Sequence, residues 1–234
     1  MSATEAPERE GYHHGDLRRA LLAAAGRLLE DGGAGALSLR EAARLSGVSR
    51  TAPYRHFPDK EALLAALAAE GYRWLIDSGR RSAAQARDAD DRLRRMAWNY
   101  VGFARDHPAR FQLMFGDVIQ DKSRYPELQE TARASYRALQ EVVAARLARP
   151  DLEGCDVNLG AIGSWVVVHG IANLLIDHKL QGLEDERAQR QLVDALMQVF
   201  ITGLTTLVRE HGGDDVHFPH CGPDIRDSGA TPER

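Results

Sequence analysis

Residues 38–60, SLREAARLSGVSRTAPYRHFPDK, constrain this chain more than any other stretch, because they punctuate two short helices and a turn in one compact run. Ser38 and Glu41 make an S-x-x-E capping box, in which each side chain can satisfy an orphan backbone donor at a helix start. The spacing predicts a helix from about Leu39, with Ala42, Ala43 and Leu45 on its apolar side. Gly47 stands where a helix C-terminus favours positive φ. Val48 can fill the angle between two helices, and Ser49 has the short hydroxyl that caps the next N-terminus. A second helix is expected over Arg50–Phe57, and Pro53 is tolerated in its first turn, where backbone donors are largely unpaired. The proline is expected to shift or tighten that start. Two helices joined by a short Gly-containing turn form a helix-turn-helix, which seats its second helix in a DNA major groove.

The residues around this motif resemble a family. A helix ahead of the motif, a recognition helix ending Tyr54-Arg55-His56-Phe57, and then Pro58-Asp59-Lys60-Glu61-Ala62-Leu63-Leu64 are similar to the DNA-binding domain of the tetracycline-repressor (TetR/AcrR) regulators. The match covers roughly residues 12–75. Tyr12-His13-His14-Gly15-Asp16-Leu17 and Trp165 to Gly170 resemble the branch whose C-terminal domain is named for a Trp-His-Gly signature. Pro53 departs from the pattern, since many relatives carry an aliphatic anchor there. The resemblance implies an all-α homodimer, most often a repressor, that binds a palindromic double-stranded DNA operator and is released by a small-molecule effector. Within it, Arg50, Thr51, Ala52, Tyr54 and Arg55 are candidates for base edges, where arginine can bind guanine with two hydrogen bonds. Tyr54 and His56 are alternatives for phosphates, Lys60 faces the backbone from a helix start, and Arg40 and Ser49 complete the candidate set.

Charge agrees with a local DNA-binding face. Residues 38–60 hold five basic and two acidic residues, a local +3 within a chain of net charge −4. A basic patch on an acidic body suits a site-selective binder better than a coating protein. At 234 residues and 44% hydrophobic, the chain can bury a sizeable core in one or two domains. Cys155 and Cys221 are the only cysteines, and no signal peptide or membrane-length apolar run is read, so a cytoplasmic protein without disulfides or membrane contact is expected.

The fold expected is all-α with about nine helices: a DNA-binding domain at 12–60, a helical effector-binding and dimerisation domain at 61–211, and disordered tails at 1–11 and 212–234. The first helix is capped by Asp16 and ends at Gly32-Gly33; a connecting helix starts near Asp59. Further helices are expected at 88–106, 108–115, from Pro126 to near Pro150, at 159–180 and at 185–211. Residues 159–180 are the most apolar stretch of the C-terminal half, but their uninterrupted run reads as too short for a bilayer.

Within that domain the aromatics Trp74, Trp98, Tyr100, Phe103, Phe111, Phe115, Tyr136 and Trp165, with Met96 and Met114, can fill a core or line a cavity. Trp98, Phe103, Phe111, Met114, Tyr136, Trp165 and His169 are expected to form an effector pocket with few polar handles. His169, placed among valines, reads as a satisfied core histidine before a ligand contact. Gly163 and Gly170, a heptad apart, are expected at a dimer interface with Leu174, Leu196, Phe200 and Leu204. Adjacent histidines such as His13 and His14 rarely converge on one ion and are expected to form a leader that contacts the DNA backbone, while His211, His217, His220 and Cys221 match no tight metal-ligand spacing, so no metal and no cofactor are expected. No phosphate-cradling glycine loop, G-x-S-x-G elbow or H-E-x-x-H occurs, which argues against an enzyme. A helical scaffold that does not bind DNA is the rival reading, disfavoured by the basic recognition segment.

Overall fold

Eight α-helices and two short 3-10 turns account for the regular structure of the described residues, with no strand among them. The computed structural model describes residues 14–148, 152 and 156–211. The expected tails, Tyr12 and His13 of the expected DNA-backbone-contacting leader, and both cysteines lie outside these residues. The chain divides into two compact units after Leu67. The division falls inside the connecting helix, seven residues beyond the boundary expected from sequence at 60/61.

In the first unit, α1 (His14–Ala36) buries Leu21, Leu22, Ala24, Ala25 and Leu29. It begins at His14, so Asp16 lies inside its first turn and not at the cap. At Gly33 the backbone leaves helical geometry (φ 68°, ψ −176°), where the Gly32-Gly33 stop was expected, yet helix resumes and continues to Ala36. Next comes α2 (Leu39–Leu45), and then a single 3-10 turn at Ala52–Arg55 takes the place of the expected second α-helix. The helix α3 (Lys60–Ala83) starts at Asp59, whose carboxylate accepts the Ala62 N–H at 2.7 Å, and buries Leu63, Leu64 and Leu67.

In the second unit, α4 (Ala89–Asp106), α6 (Pro126–Leu147), α7 (Val157–Ile176) and α8 (Glu186–His211) pack around Leu93, Val101, Val143, Val168, Val193 and Met197. Asp88 caps α4 by accepting the Asp91 N–H at 2.6 Å, and Asp185 caps α8 by accepting the Ala188 N–H at 2.7 Å. His107-Pro108 separates α4 from the short α5 (Pro108–Phe115), as a proline disfavours helix in the residue before it. α6 ends at Leu147, short of Pro150, and α7 begins two residues before its expected start. α7 also stops four residues early, because its last turn is closed by the Asp177 N–H on the Asn173 carbonyl and is followed by His178 at φ 52°.

Two features of α7 bear on its expected roles. It is 20 residues long with a mean hydropathy of 1.8, long and apolar enough to cross a bilayer by length and composition. Its glycines also do different things. A Cβ at Gly163 would stand 2.5 Å from Phe200 Cε2 in the same chain, whereas one at Gly170 would meet nothing within 4 Å. Gly163 therefore lets α8 approach α7 within the protomer, and Gly170 leaves open surface.

Candidate nucleic-acid interface and ligand cavity

The turn of the first unit is fixed by short-range hydrogen bonds. Ser38 Oγ accepts the Glu41 N–H at 3.1 Å, which completes one half of the capping box. The Glu41 carboxylate makes the other choice and accepts from Arg44 Nε at 2.9 Å, and this partner lowers the Glu41 pKa. At the far end, the Gly47 N–H donates to the Arg44 carbonyl and the Val48 N–H to the Ala43 carbonyl, the paired bonds of a Schellman motif. Gly47 sits at φ 68°, which is why a side chain is unwelcome there. Ala42 and Ala43 are fully buried as expected, but Leu45, the last residue of α2, is 39% exposed.

The recognition segment then departs from the expectation in one physical respect. Thr51, not Ser49, precedes the helical turn, and no side chain caps it. Pro53 supplies no N–H, while the Tyr54 and His56 N–H groups reach back three residues to Thr51 and Pro53, the tighter 3-10 pattern. Pro53 itself is buried, beside Phe57 at 2% exposure. The Arg18 guanidinium lies 5.6 Å from the Phe57 ring centroid, and Ser46 Oγ donates to the Ala20 carbonyl, so α1 braces the motif at two points. With Pro53 and Phe57 inside, Ser49, Arg50, Thr51, Tyr54, Arg55 and Lys60 are exposed, as is Arg40 on α2; Ala52 and His56 are half-buried. Tyr54 is 52% exposed. His56 Nε2 is buried without a hydrogen-bond partner among the described residues.

The second unit contains an aromatic cavity of about 70 Å³. Tyr72 of α3, Tyr100 of α4, Phe115 of α5, Tyr136 of α6 and Trp165 of α7 form its aromatic wall, with Met96 and Met197 among the remaining lining. No charged side chain lines it among the described residues. Four of its hydroxyls, those of Tyr72, Tyr100, Tyr136 and Ser164, are already engaged. Tyr72 donates to the Met114 carbonyl at 3.2 Å, Tyr136 donates to Asn158 Oδ1 at 2.9 Å, and Ser164 donates to the Gly160 carbonyl at 2.7 Å. Trp165 Nε1 donates to the Tyr100 hydroxyl at 3.2 Å, and that hydroxyl lies 2.9 Å from His169 Nδ1. Burial pushes the Tyr100 and Tyr72 phenols up and the His169 imidazole down.

Of the residues expected to form a pocket, the cavity brings together Tyr136 and Trp165. His169 stands behind Tyr100, with its ring 5.0 Å from Phe115 and 5.6 Å from Trp165. Phe103, Phe111 and Met114 are at most 1% exposed and belong to the packed interior; Phe103 stacks on Trp74 at 4.9 Å. Trp98 turns elsewhere on α4, between Arg105 and Arg190, each 5.6 Å from its ring. Tyr72, Met96, Tyr100, Phe115 and Met197 were not in the expected pocket set. The i, i+4 spacing of Met96 and Tyr100 places them on one face of α4 and was the signal available for those two.

Of the expected interface residues, Gly170, Leu174 (44%) and Leu196 (39%) are exposed. Phe200 and Leu204 are half-buried, and both approach the glycines of α7 within the chain. Val166 (63%) and Val199 (68%) are the most exposed large apolar side chains of α7 and α8 among the described residues.

Comparison with known proteins gives the family. Residues 21–67 match bacterial regulatory proteins of the tetR family, and residues 93–200 match the tetracyclin repressor-like C-terminal domain. A protein of unknown function from Rhodococcus sp. RHA1 is similar at 34% identity, over 84% of this chain and 100% of that one, with a TM-score of 0.74. The TetR family transcriptional regulator PfmR from Thermus thermophilus is similar at 17% identity, over 78% of this chain and 97% of its own, with a TM-score of 0.56. The fatty acid degradation regulator FadR from Bacillus halodurans is similar at 15% identity, over 79% and 98%, with a TM-score of 0.64. The last two share the fold. No curated protein matches. The chain belongs to the TetR family of ligand-responsive, DNA-binding transcriptional regulators, which are not enzymes.

Proposed function

We propose that this regulator is a repressor that binds a palindromic operator as a two-fold dimer and is released by a small, largely apolar effector held in the aromatic cavity. The observation that carries the DNA-reading part is the burial of Pro53 and Phe57, which leaves Arg50, Thr51, Tyr54 and Arg55 exposed around one short turn. Arg50 and Arg55 read base edges, and Lys60, at the start of α3, holds a phosphate. Two such turns meet successive major-groove faces when two copies associate. The exposed apolar side chains Val166, Leu174, Leu196 and Val199 on α7 and α8 supply the surface for that association. Trp165, with His169 and Gly170 one turn on, supports assignment to the Trp-His-Gly branch, as Trp165 and His169 meet on the Tyr100 hydroxyl.

The test is a mobility-shift titration on a duplex selected from a random pool. Arg50→Ala or Arg55→Ala is expected to cost about 1–3 kcal/mol and to relax preference at one base pair. Lys60→Ala is expected to weaken all duplexes alike and to flatten the salt dependence. Equal and sequence-independent effects of all three changes would remove the readout assignment. Sedimentation of the free protein is expected to give a dimer, with Val199→Glu shifting it to monomer and leaving its helical content unchanged.

A further inference from the structure

We infer that the ligand site extends from the aromatic cavity into an outer groove carrying Arg80 and Arg92, with Met96 as the partition, and that its ligand is an amphipathic carboxylate. The inference rests on the reading of the second unit as the effector unit.

The inner cavity alone is too small. Ligand pockets run to about 300–1,000 Å³, and this one offers about 70 Å³. A groove of about 280 Å³ lies between α3, α4 and α6, and Met96 lines both spaces. Joined, they reach the lower end of the usual range. Met96 is suited to divide them, because its unbranched side chain has three rotatable bonds and a polarizable sulfur that adapts to different neighbours. It is half-buried, and its methyl faces α3 where Gly79 has no side chain; a Cβ there would stand 4.0 Å from Met96 Cε.

The two spaces differ in charge. The inner one has aromatic walls and no charged side chain among the described residues, so an ionised group has no counter-charge inside and pays the full cost of burial. In the outer groove, Arg80 of α3 and Arg92 of α4 are exposed, and neither is paired with a carboxylate among the described residues. Glu141 is the single acidic residue on its wall, which leaves the groove net positive. Ile76, Ala138 and Val142 give it an apolar floor. A hydrocarbon body reaching past Met96 with its carboxylate left at the two guanidiniums matches both halves.

Three probes with one tail and different heads test this: octanoate, octanol and octyltrimethylammonium, titrated calorimetrically into the full chain. Octanoate is expected to bind at least about tenfold tighter than octanol, and the cation not to bind. The double variant Arg80→Gln/Arg92→Gln should bring octanoate down to the octanol level and leave octanol unchanged; both positions are exposed, so helical circular dichroism should stay as in the parent. Ala132→Leu, which narrows the inner cavity, should weaken octanoate and octanol together. Met96→Ala should speed octanoate association several-fold, followed by quenching of Trp165 and absent in Trp165→Phe. Equal affinity for the three heads, octanoate binding that ignores both arginines, or an association rate unchanged in Met96→Ala would overturn the inference. Release of the selected duplex is measured separately. Arginine-dependent octanoate binding that leaves DNA binding untouched would keep this site and remove the effector role. Release of DNA by octanoate without arginine dependence would do the reverse.

Discussion

The two units hold their shapes over different distances along the chain. In the first, the bonds that shape the helix starts and the turn join near neighbours, Ser38 to Glu41, Ala43 to Val48 and Asp59 to Ala62, and only the bracing by α1 reaches further, from Ala20 to Ser46 and from Arg18 to Phe57. In the second they join residues far apart in sequence: Tyr100 to His169, 69 positions away, and Arg146 to Asp90 and Thr205, 56 and 59 positions away. A DNA-reading turn can therefore be specified by a short run of residue types, whereas a cavity depends on how several helices rotate about their axes. The second kind of information is spread over the whole bundle.

The sharpest way to break this contrast is to remove side chains that each unit depends on. Phe103→Ala is expected to destabilise the second unit by about 3–5 kcal/mol, the range for a large buried aromatic, measured by urea unfolding. A cost below about 1 kcal/mol would mean that the ring borders a void and that the core and cavity have been divided wrongly. Gly163→Val comes next, since its side chain would collide with Phe200; overpacking of about 1–3 kcal/mol is expected, against no clash at all for Gly170→Val. Equal costs at the two glycines would cancel their different assignments. In the first unit, Ser38→Ala should lose about 1 kcal/mol, the usual worth of an N-cap, while Glu41→Gln should lose less, because Glu41 bonds Arg44 on an exposed surface instead of the cap backbone.

The smallest effect is on pH dependence. Burial holds the His169 pKa below its ordinary value, so on acidification the unfolded chain takes up its proton first, near pH 6.5. Stability is then lost as pH falls from about 6.5 toward the folded pKa, and is level above that window. His169→Gln should remove this slope, as followed by thermal unfolding between pH 7.5 and 5. A slope of opposite sign would mean that the folded state favours the imidazolium.

These distances also explain what was legible beforehand. The cap at Ser38, the positive φ at Gly47 and the start of α3 at Asp59 each follow from a residue type at a fixed offset, and each is present. Pro53 is legible as a perturbation of the turn, but propensity alone does not say whether a proline tightens one turn or converts the segment to 3-10 geometry; the buried packing of Pro53 and Phe57 accompanies the second outcome. In the second unit the helices were legible from caps and prolines, with ends displaced by a few residues. The cavity wall was legible only in part. Phe103 and Tyr100 are both aromatic and lie three residues apart on α4, yet one stacks on Trp74 in the interior and the other lines the cavity. Choosing between them requires the rotation of α4, which no local pattern fixes. The same holds for Gly163 and Gly170, which share a helix face in projection but meet Phe200 and open space.

Pro53 has one more consequence. Its ring fixes a backbone torsion in the middle of the recognition turn, and its burial beside Phe57 anchors that turn to the rest of the first unit. A reading segment held this way gives up little conformational freedom when it meets its target, so the entropic penalty of association is largely settled during folding. The same stiffness limits how far the turn can adjust to a mismatched sequence. Discrimination then falls on the exposed side chains around it, and the backbone acts as a fixed gauge against which each base pair is measured.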